Sequence, residues 1–408
     1  MKQALARLAV ALFAVSAFST FAAAAEKHYA PGVSDDEIKI GQTLPLSGPA
    51  SAYGQIGRAE AAYFRMVNET GGVNGRKITF VQLDDGYSPP RTVEQTRKLV
   101  EQEQVALIFS TIGTPTNLAI RKYLNDKKVP QLWIGSGGDQ FSDPEHFPWT
   151  IPFLPSYMTE GRIYGKYILA NKPDAKIAVL YQNDDFGKDL FEGLKQGLGP
   201  EGAKRIVATA SYEVSDPTVA QQILTLQGSG ADTLFTAATP KFSAQAIRTV
   251  HDLGWKPLYF VNYTGSAVAA VLVPAGLDKA VGLISTAYLK DPTDPQWKDD
   301  PGFGQWLAWM HKYMAEGDIA DLYNVTGYTE AAVLAQLLRQ CGDDLTRENI
   351  MNQATHITNL AQPMLQPGIT MNTSPDNYFP VKQMRLVRFD GKTWVPFGEA
   401  IDGRLTQR

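Results

Sequence analysis

Glu37 to Ile78 reads EIKIGQTLPLSGPASAYGQIGRAEAAYFRMVNETGGVNGRKI. The apolar run Ile38–Thr43 predicts a strand. Ala59, Ala62, Tyr63, Met66 and Val67 then recur at i, i+3, i+4, i+7 and i+8, the spacing of one helix face. Between them lies a loop of glycine, serine and proline that carries one tyrosine, Tyr53. After them a GG-x-x-G turn leads into a second strand, Lys77–Leu83. A loop between a strand end and a helix start is where open α/β sheets hold small ligands.

The same alternation continues outward. Val105–Phe109 and Gln131–Ile134 are short all-apolar runs, as expected for parallel strands covered on both faces. After Pro155 the pattern restarts with a helix over Met158–Ala170. Strands at Lys176–Tyr181, Ile206–Ala210, Thr233–Ala237 and Leu258–Asn262 follow, with a helix marked by Val219, Ile223 and Leu226. Two α/β lobes of similar size are expected, which suits a chain too long for a single core. Beyond a strand at Leu283–Leu289, helices are expected over Gly304–Met314, Thr326–Cys341 and Thr346–Ala354. Asp390-Gly391 predicts a type I′ hairpin between Met384–Phe389 and Thr393–Phe397. Closing elements after two complete lobes imply that the chain crosses back between them, making a hinge over a cleft.

Composition narrows the function. Lys2 and Arg7, an apolar stretch from Leu8 to Phe21 and Ala23-Ala24-Ala25 form a secretory signal, predicted to be cut before Glu26. Loss of those two cations moves the net charge from −4 to −6, mildly acidic and spread along the chain, which argues against a nucleic-acid partner. No later stretch is apolar enough to cross a bilayer, and no membrane anchoring is expected. Cys341 is the single cysteine, read as a small buried hydrophobe.

Signatures of catalysis and cofactor binding are missing. Gly391-Lys392-Thr393 imitates the end of a phosphate loop, but Leu386 stands where a glycine is required. Gly135-Ser136-Gly137-Gly138 hints at a dinucleotide loop and fails at Gln140. Five histidines are scattered singly, without metal-ligand spacing, so no metal or cofactor is expected. Asp84-Asp85 and Asp184-Asp185 each follow a strand. They read as loop and helix-start residues, with acid–base chemistry in an exported enzyme as the rival.

Besides the opening stretch, LDDGYSPPRTVEQTRKLVEQEQVALIFS (Leu83–Ser110), GTPTN (Gly113–Asn117), VPQLWIGSGGD (Val129–Asp139), NDDFGKD (Asn183–Asp189) and RFDGKTW (Arg388–Trp394) resemble, in order, the periplasmic Leu/Ile/Val-binding protein family. The resemblance implies an α/β, type I periplasmic binding protein with two doubly wound lobes joined by a three-crossover hinge. It divides the chain into residues 1–25 as signal, 36–155 plus 289–381 as lobe I, and 156–288 plus 382–408 as lobe II. It implies a periplasmic protein that captures a small amino acid or a carboxylate, including aromatic acids, and hands it to the permease and ATPase of an ABC importer. A sensor module feeding a receptor is the rival within the same fold.

In such proteins lobe I holds the solute carboxylate through hydroxyls and backbone N–H groups at helix starts. That role falls here on Thr114, Thr116, Ser136, Gly137, Gly138 and Asp139. Tyr53 matches the cleft tyrosine, and Phe186 the aromatic of lobe II that closes over the ligand. Where the family's amino-acid binders place acids for the ammonium, this chain has Tyr157 and, within Asn262-Tyr263-Thr264-Gly265, no carboxylate. Thr239 stands at another cleft tyrosine. The expected solute is therefore a carboxylate whose amine goes unrecognised unless Asp139 or Asp185 supplies the missing acid.

Overall fold

The computed structural model describes residues 27–402, so the signal sequence lies outside the described residues. Lobe I is built on a five-stranded parallel sheet with strands in the order Lys77–Asp84, Glu37–Leu44, Leu107–Phe109, Gln131–Ile134 and Thr150–Pro152. Lobe II repeats the scheme with Ile206–Tyr212, Ile177–Gln182, Thr233–Ala237, Leu258–Val261 and Ile284–Ala287. In both lobes the first strand lies between the second and the third. The winding direction therefore reverses beside it, and the crevice at the carboxyl ends of the first and third strands is open to a ligand.

The chain leaves the first sheet after Pro152. It returns after Ala287 to build Pro301–Tyr313 and Leu322–Gln340 against lobe I, then re-enters lobe II as the antiparallel strands Gln383–Phe389 and Trp394–Asp402. The closing hairpin is not the two-residue turn that Asp390-Gly391 predicts. Phe389 pairs with Trp394, leaving a four-residue loop. Asp390 Oδ1 accepts the N–H groups of Lys392 and Thr393 at 2.8 and 2.9 Å, and this side-chain turn takes the place of the tighter backbone one. The sequence also gives no hint of the edge strand Thr150–Pro152, whose closing proline an edge position tolerates.

Two helix seams fix the walls of the crevice. Helix Tyr157–Asn171 meets helix Asp185–Ala203 through Gly161 and Gly165 on one side and Gly193 and Gly197 on the other. A Cβ on any of the four would sit 2.3–2.6 Å from a backbone carbonyl oxygen of the facing helix. That close approach needs glycine. Helix Gly54–Glu69 meets Leu322–Gln340 in the same way, since a Cβ on Gly327 would lie 2.3 Å from the Ile56 carbonyl oxygen. Gly327→Ala is expected to destabilise the protein by about 1–3 kcal/mol, the usual cost of overpacking a tight interior. Denaturant melts compared with wild type will measure it. An unchanged midpoint would show that the seam can open freely.

Candidate functional site

The switch-point strands deliver the first wall residues. Strand Glu37–Leu44 runs through the Gly/Ser/Pro loop to Tyr53, at the end of a short 3-10 turn before the helix Gly54–Glu69. Strand Leu107–Phe109 leads to Ile112 and Gly113. In lobe II, strand Ile177–Gln182 leads to Phe186, two residues past Asp184, which caps its helix by accepting the Gly187 N–H at 3.3 Å. Strand Thr233–Ala237 leads to Thr239 at the start of the helix Pro240–Asp252.

These residues line a small cavity between the lobes, about 40 Å³ in volume. Of the twelve residues named from the sequence, Tyr53, Tyr157, Phe186, Thr239, Tyr263 and Thr264 line it. The other six stand behind it. Thr114 Oγ1 and Ser136 Oγ bond to each other at 2.7 Å. Thr116 turns back onto the carbonyls of Ile112 and Gly113. Gly138 N–H donates to Ser136 Oγ at 3.1 Å. Gly137 is pressed under Tyr157, whose N–H donates to the Gly137 carbonyl at 2.8 Å.

The Tyr157 phenol lies against the Gly137 backbone and the hydroxyls of Ser136 and Thr114. Burial raises its pKa, and these contacts oppose the rise. The group of donors expected to meet a carboxylate is thus met by a tyrosine of the other lobe. Asp139 is likewise committed. Its carboxylate accepts from Ser156 Oγ at 2.8 Å and from the Met158 N–H at 3.1 Å, while its own N–H donates to Asp189 Oδ2 at 3.2 Å. It ties the two lobes together outside the cavity.

Two phenols also reach across the cavity to one acceptor in the other lobe. Tyr53 Oη and Tyr323 Oη donate to the Thr264 carbonyl at 3.2 and 3.1 Å, with the two rings 5.3 Å apart. Tyr323 sits at the start of Leu322–Gln340, placed there by Asp321, which accepts its N–H at 3.0 Å. The turn holding Thr264 is itself supported from below. Buried Glu160 accepts the Tyr263 N–H at 2.6 Å and the Tyr164 hydroxyl at 2.7 Å. Burial pushes the Glu160 carboxyl up to about 7, against the pull of those hydrogen bonds.

Sequence reasoning misses several wall residues. Tyr87 comes from the loop after strand Lys77–Asp84 and is held at φ 61°, a left-handed conformation uncommon for a bulky residue. Its ring lies so close to Gly113 that a Cβ there would be 2.5 Å from it. Ile56, Leu154, Tyr323, Thr326 and Glu330 also line the cavity. Glu330 does leave a trace in the sequence, as an acid on the same helix face as Thr326, Val333 and Leu337. No lysine, arginine or histidine is among the lining residues.

The acidic pairs take structural positions. Asp84 accepts from the N–H groups of Leu46, Ser47 and Gly86, from Ser47 Oγ and from Arg91. These bonds outweigh its partial burial and bring its carboxyl down to about 2. Asp85 accepts from Tyr87 N–H and Thr92 Oγ1, and Asp184 is the helix cap already described. Among the described residues no group of three or more histidine, cysteine or acidic side chains converges as a metal site. None of the described helices is long and apolar enough to cross a membrane.

An enclosed cavity between two doubly wound lobes, shut by cross-lobe hydrogen bonds, defines a two-lobe solute-binding protein. The chain belongs to the periplasmic binding protein family, which it matches over residues 37–393. It is 25% identical over 329 residues to Leu/Ile/Val-binding protein homolog 7 of Brucella abortus (strain 2308), covering 78% of this chain and 80% of that one. A branched chain amino acid ABC transporter protein from Thermus thermophilus with bound valine superposes with a TM-score of 0.80 at 18% identity, covering 90% and 97% of the two chains. A solute binding protein of an ABC transporter from R. palustris, in complex with 4-hydroxybenzoate, does so with a TM-score of 0.76 at 17% identity, covering 90% and 97%.

Two outcomes follow from this geometry. Replacing both phenols that reach Thr264, as Tyr53→Phe with Tyr323→Phe, removes two hydrogen bonds worth about 1 kcal/mol each. Small-angle scattering should then show a more open molecule, with little change in melting temperature. For Glu160, the native carboxyl keeps its proton up to about pH 7, whereas an unfolded glutamate loses its proton near pH 4.3. The native state thus binds more protons in that window, so stability from this group is full below it and is lost as pH rises through about 7. Melts of Glu160→Gln between pH 5 and 8 should fall less steeply than those of wild type.

Proposed function

We propose that the protein is the solute-binding component of an ABC importer and works in the periplasm. It captures a small solute with an aromatic or branched aliphatic body and presents it to the permease. The carrying observation is the cavity itself. It is enclosed by both lobes, walled mainly by tyrosine, phenylalanine and aliphatic side chains, and closed through the Thr264 carbonyl. A solute bridging the lobes favours the closed arrangement in proportion to its better binding there. No bond of the solute changes in this scheme.

The lobe division at 155/156, 288/289 and 381/382 belongs to the same proposal. Its support is that strands on either side of each boundary fall in different sheets or pack against different lobes. Amino acids and organic carboxylates are the solute classes put forward. Similar folds hold valine and 4-hydroxybenzoate.

A thermal-shift screen tests this reading. Apolar-bodied solutes such as leucine, valine, 4-hydroxybenzoate and 3-phenylpropanoate are compared with glucose. A true ligand at a hundredfold excess over Kd adds roughly 3 kcal/mol of stability, a rise of several degrees. Tyr53→Ala should abolish that rise in a variant whose unliganded melt, though lowered, shows that it still folds. A response to glucose alone would overturn the proposal.

A further inference from the structure

Tyr263 and Tyr288 carry buried hydroxyls that the contacts between the lobes do not use. Tyr263 opens the turn after strand Leu258–Val261, and Tyr288 directly follows strand Ile284–Ala287. Their rings lie 5.0 Å apart, and the two residues are 6% and 0% exposed. Neither Oη atom has a hydrogen-bond partner. The turn leaves Tyr263 little freedom to find one. Its N–H donates to Glu160 at 2.6 Å, and its carbonyl accepts from Ser266 Oγ at 2.7 Å.

Tyr263 lines the cavity together with Thr326 and Glu330. The hydroxyls of Tyr288 and Thr326 and the carboxyls of Asp291 and Glu330 are the polar groups that act on its phenol. Three of these four are committed elsewhere. Thr326 donates to the Leu322 carbonyl at 3.2 Å, Asp291 is held by Thr293, and Glu330 is held by Ser110 and Glu60. Were Tyr288 to turn and donate to Tyr263, the Tyr263 proton would still lack an acceptor. A buried donor left unmet is costly, and a ligand that brings the acceptor recovers that cost.

We propose that Tyr263, with Tyr288 beside it, forms a subsite that binds a neutral acceptor oxygen, a carbonyl or a hydroxyl, carried on the body of the solute. The proposal rests on the cavity being the solute site. It adds a polar requirement to a wall that is otherwise aromatic and aliphatic. A site built around a hydrogen bond rejects an analogue without the partner far more strongly than a hydrophobic pocket rejects a missing methylene.

The test uses the whole protein and probes paired by shape. Calorimetry sets 4-oxopentanoate against 4-methylpentanoate, and 4-hydroxybenzoate against 4-methylbenzoate. In each pair an oxygen takes the place of a methyl group. The oxygen-bearing member should bind at least tenfold more tightly. Tyr263→Phe should remove that preference, and Tyr288→Phe should reduce it. Because Tyr263→Phe deletes a donor that has no partner, its unliganded melt should be no lower than that of wild type. That result separates loss of the subsite from loss of the fold. Equal binding within both pairs, no binding of either pair, or a preference that survives Tyr263→Phe overturns the proposal. Solute capture still stands if any apolar-bodied compound of the wider screen raises the melting temperature. If none does, both readings fall.

Discussion

Backbone contact between helices, possible only where a Cβ is absent, sets the position of the wall residues carried by four helices. In lobe II, four glycines let the helices starting at Tyr157 and Asp185 touch, so Tyr157 and Phe186 stand with their rings 5.2 Å apart. In lobe I, Gly327 brings Leu322–Gln340 onto Gly54–Glu69, which places Tyr323 beside Tyr53 and Glu330 beside Glu60. Interiors packed at this density transmit a displacement rather than absorb it. The shape of the cavity is thus determined at seams that do not touch a solute.

The fold is legible in the sequence because its signals are local. Apolar runs of strand length, helix-spaced stripes and Gly-rich loops recur in the order that two doubly wound sheets require. Tyr53 and Phe186 are legible through the resemblance of their loops to the family's, each loop following a switch-point strand. What stays hidden depends on contacts between distant segments. Thr114 and Ser136 sit at a helix start as expected, yet Tyr157 from the other lobe meets them. Tyr87 turns into the cavity through a left-handed backbone that its neighbours enforce. Glu330 lies more than two hundred residues from Ser110, its hydrogen-bond partner.

The chemistry of the cavity follows from which polar groups are already satisfied. Asp139 is occupied by Ser156 and Met158, Thr239 by Gln182 and Tyr212, and Thr264 by two phenols. An inventory of polar residues therefore overstates what a solute can use. The carboxyls of Glu60 and Glu330 are occupied as well, by Gln42, Ser110 and each other.

The junction at Thr264 has a further consequence, for timing. Two hydroxyls converge on one carbonyl, so they are lost together when the lobes part. At about 1 kcal/mol each they bias closure by roughly thirtyfold, against the ten-thousandfold needed to throw an equilibrium fully from one side to the other. A catch of that strength holds a captured solute and still opens on thermal fluctuation. Parting the lobes then needs little work from outside the molecule.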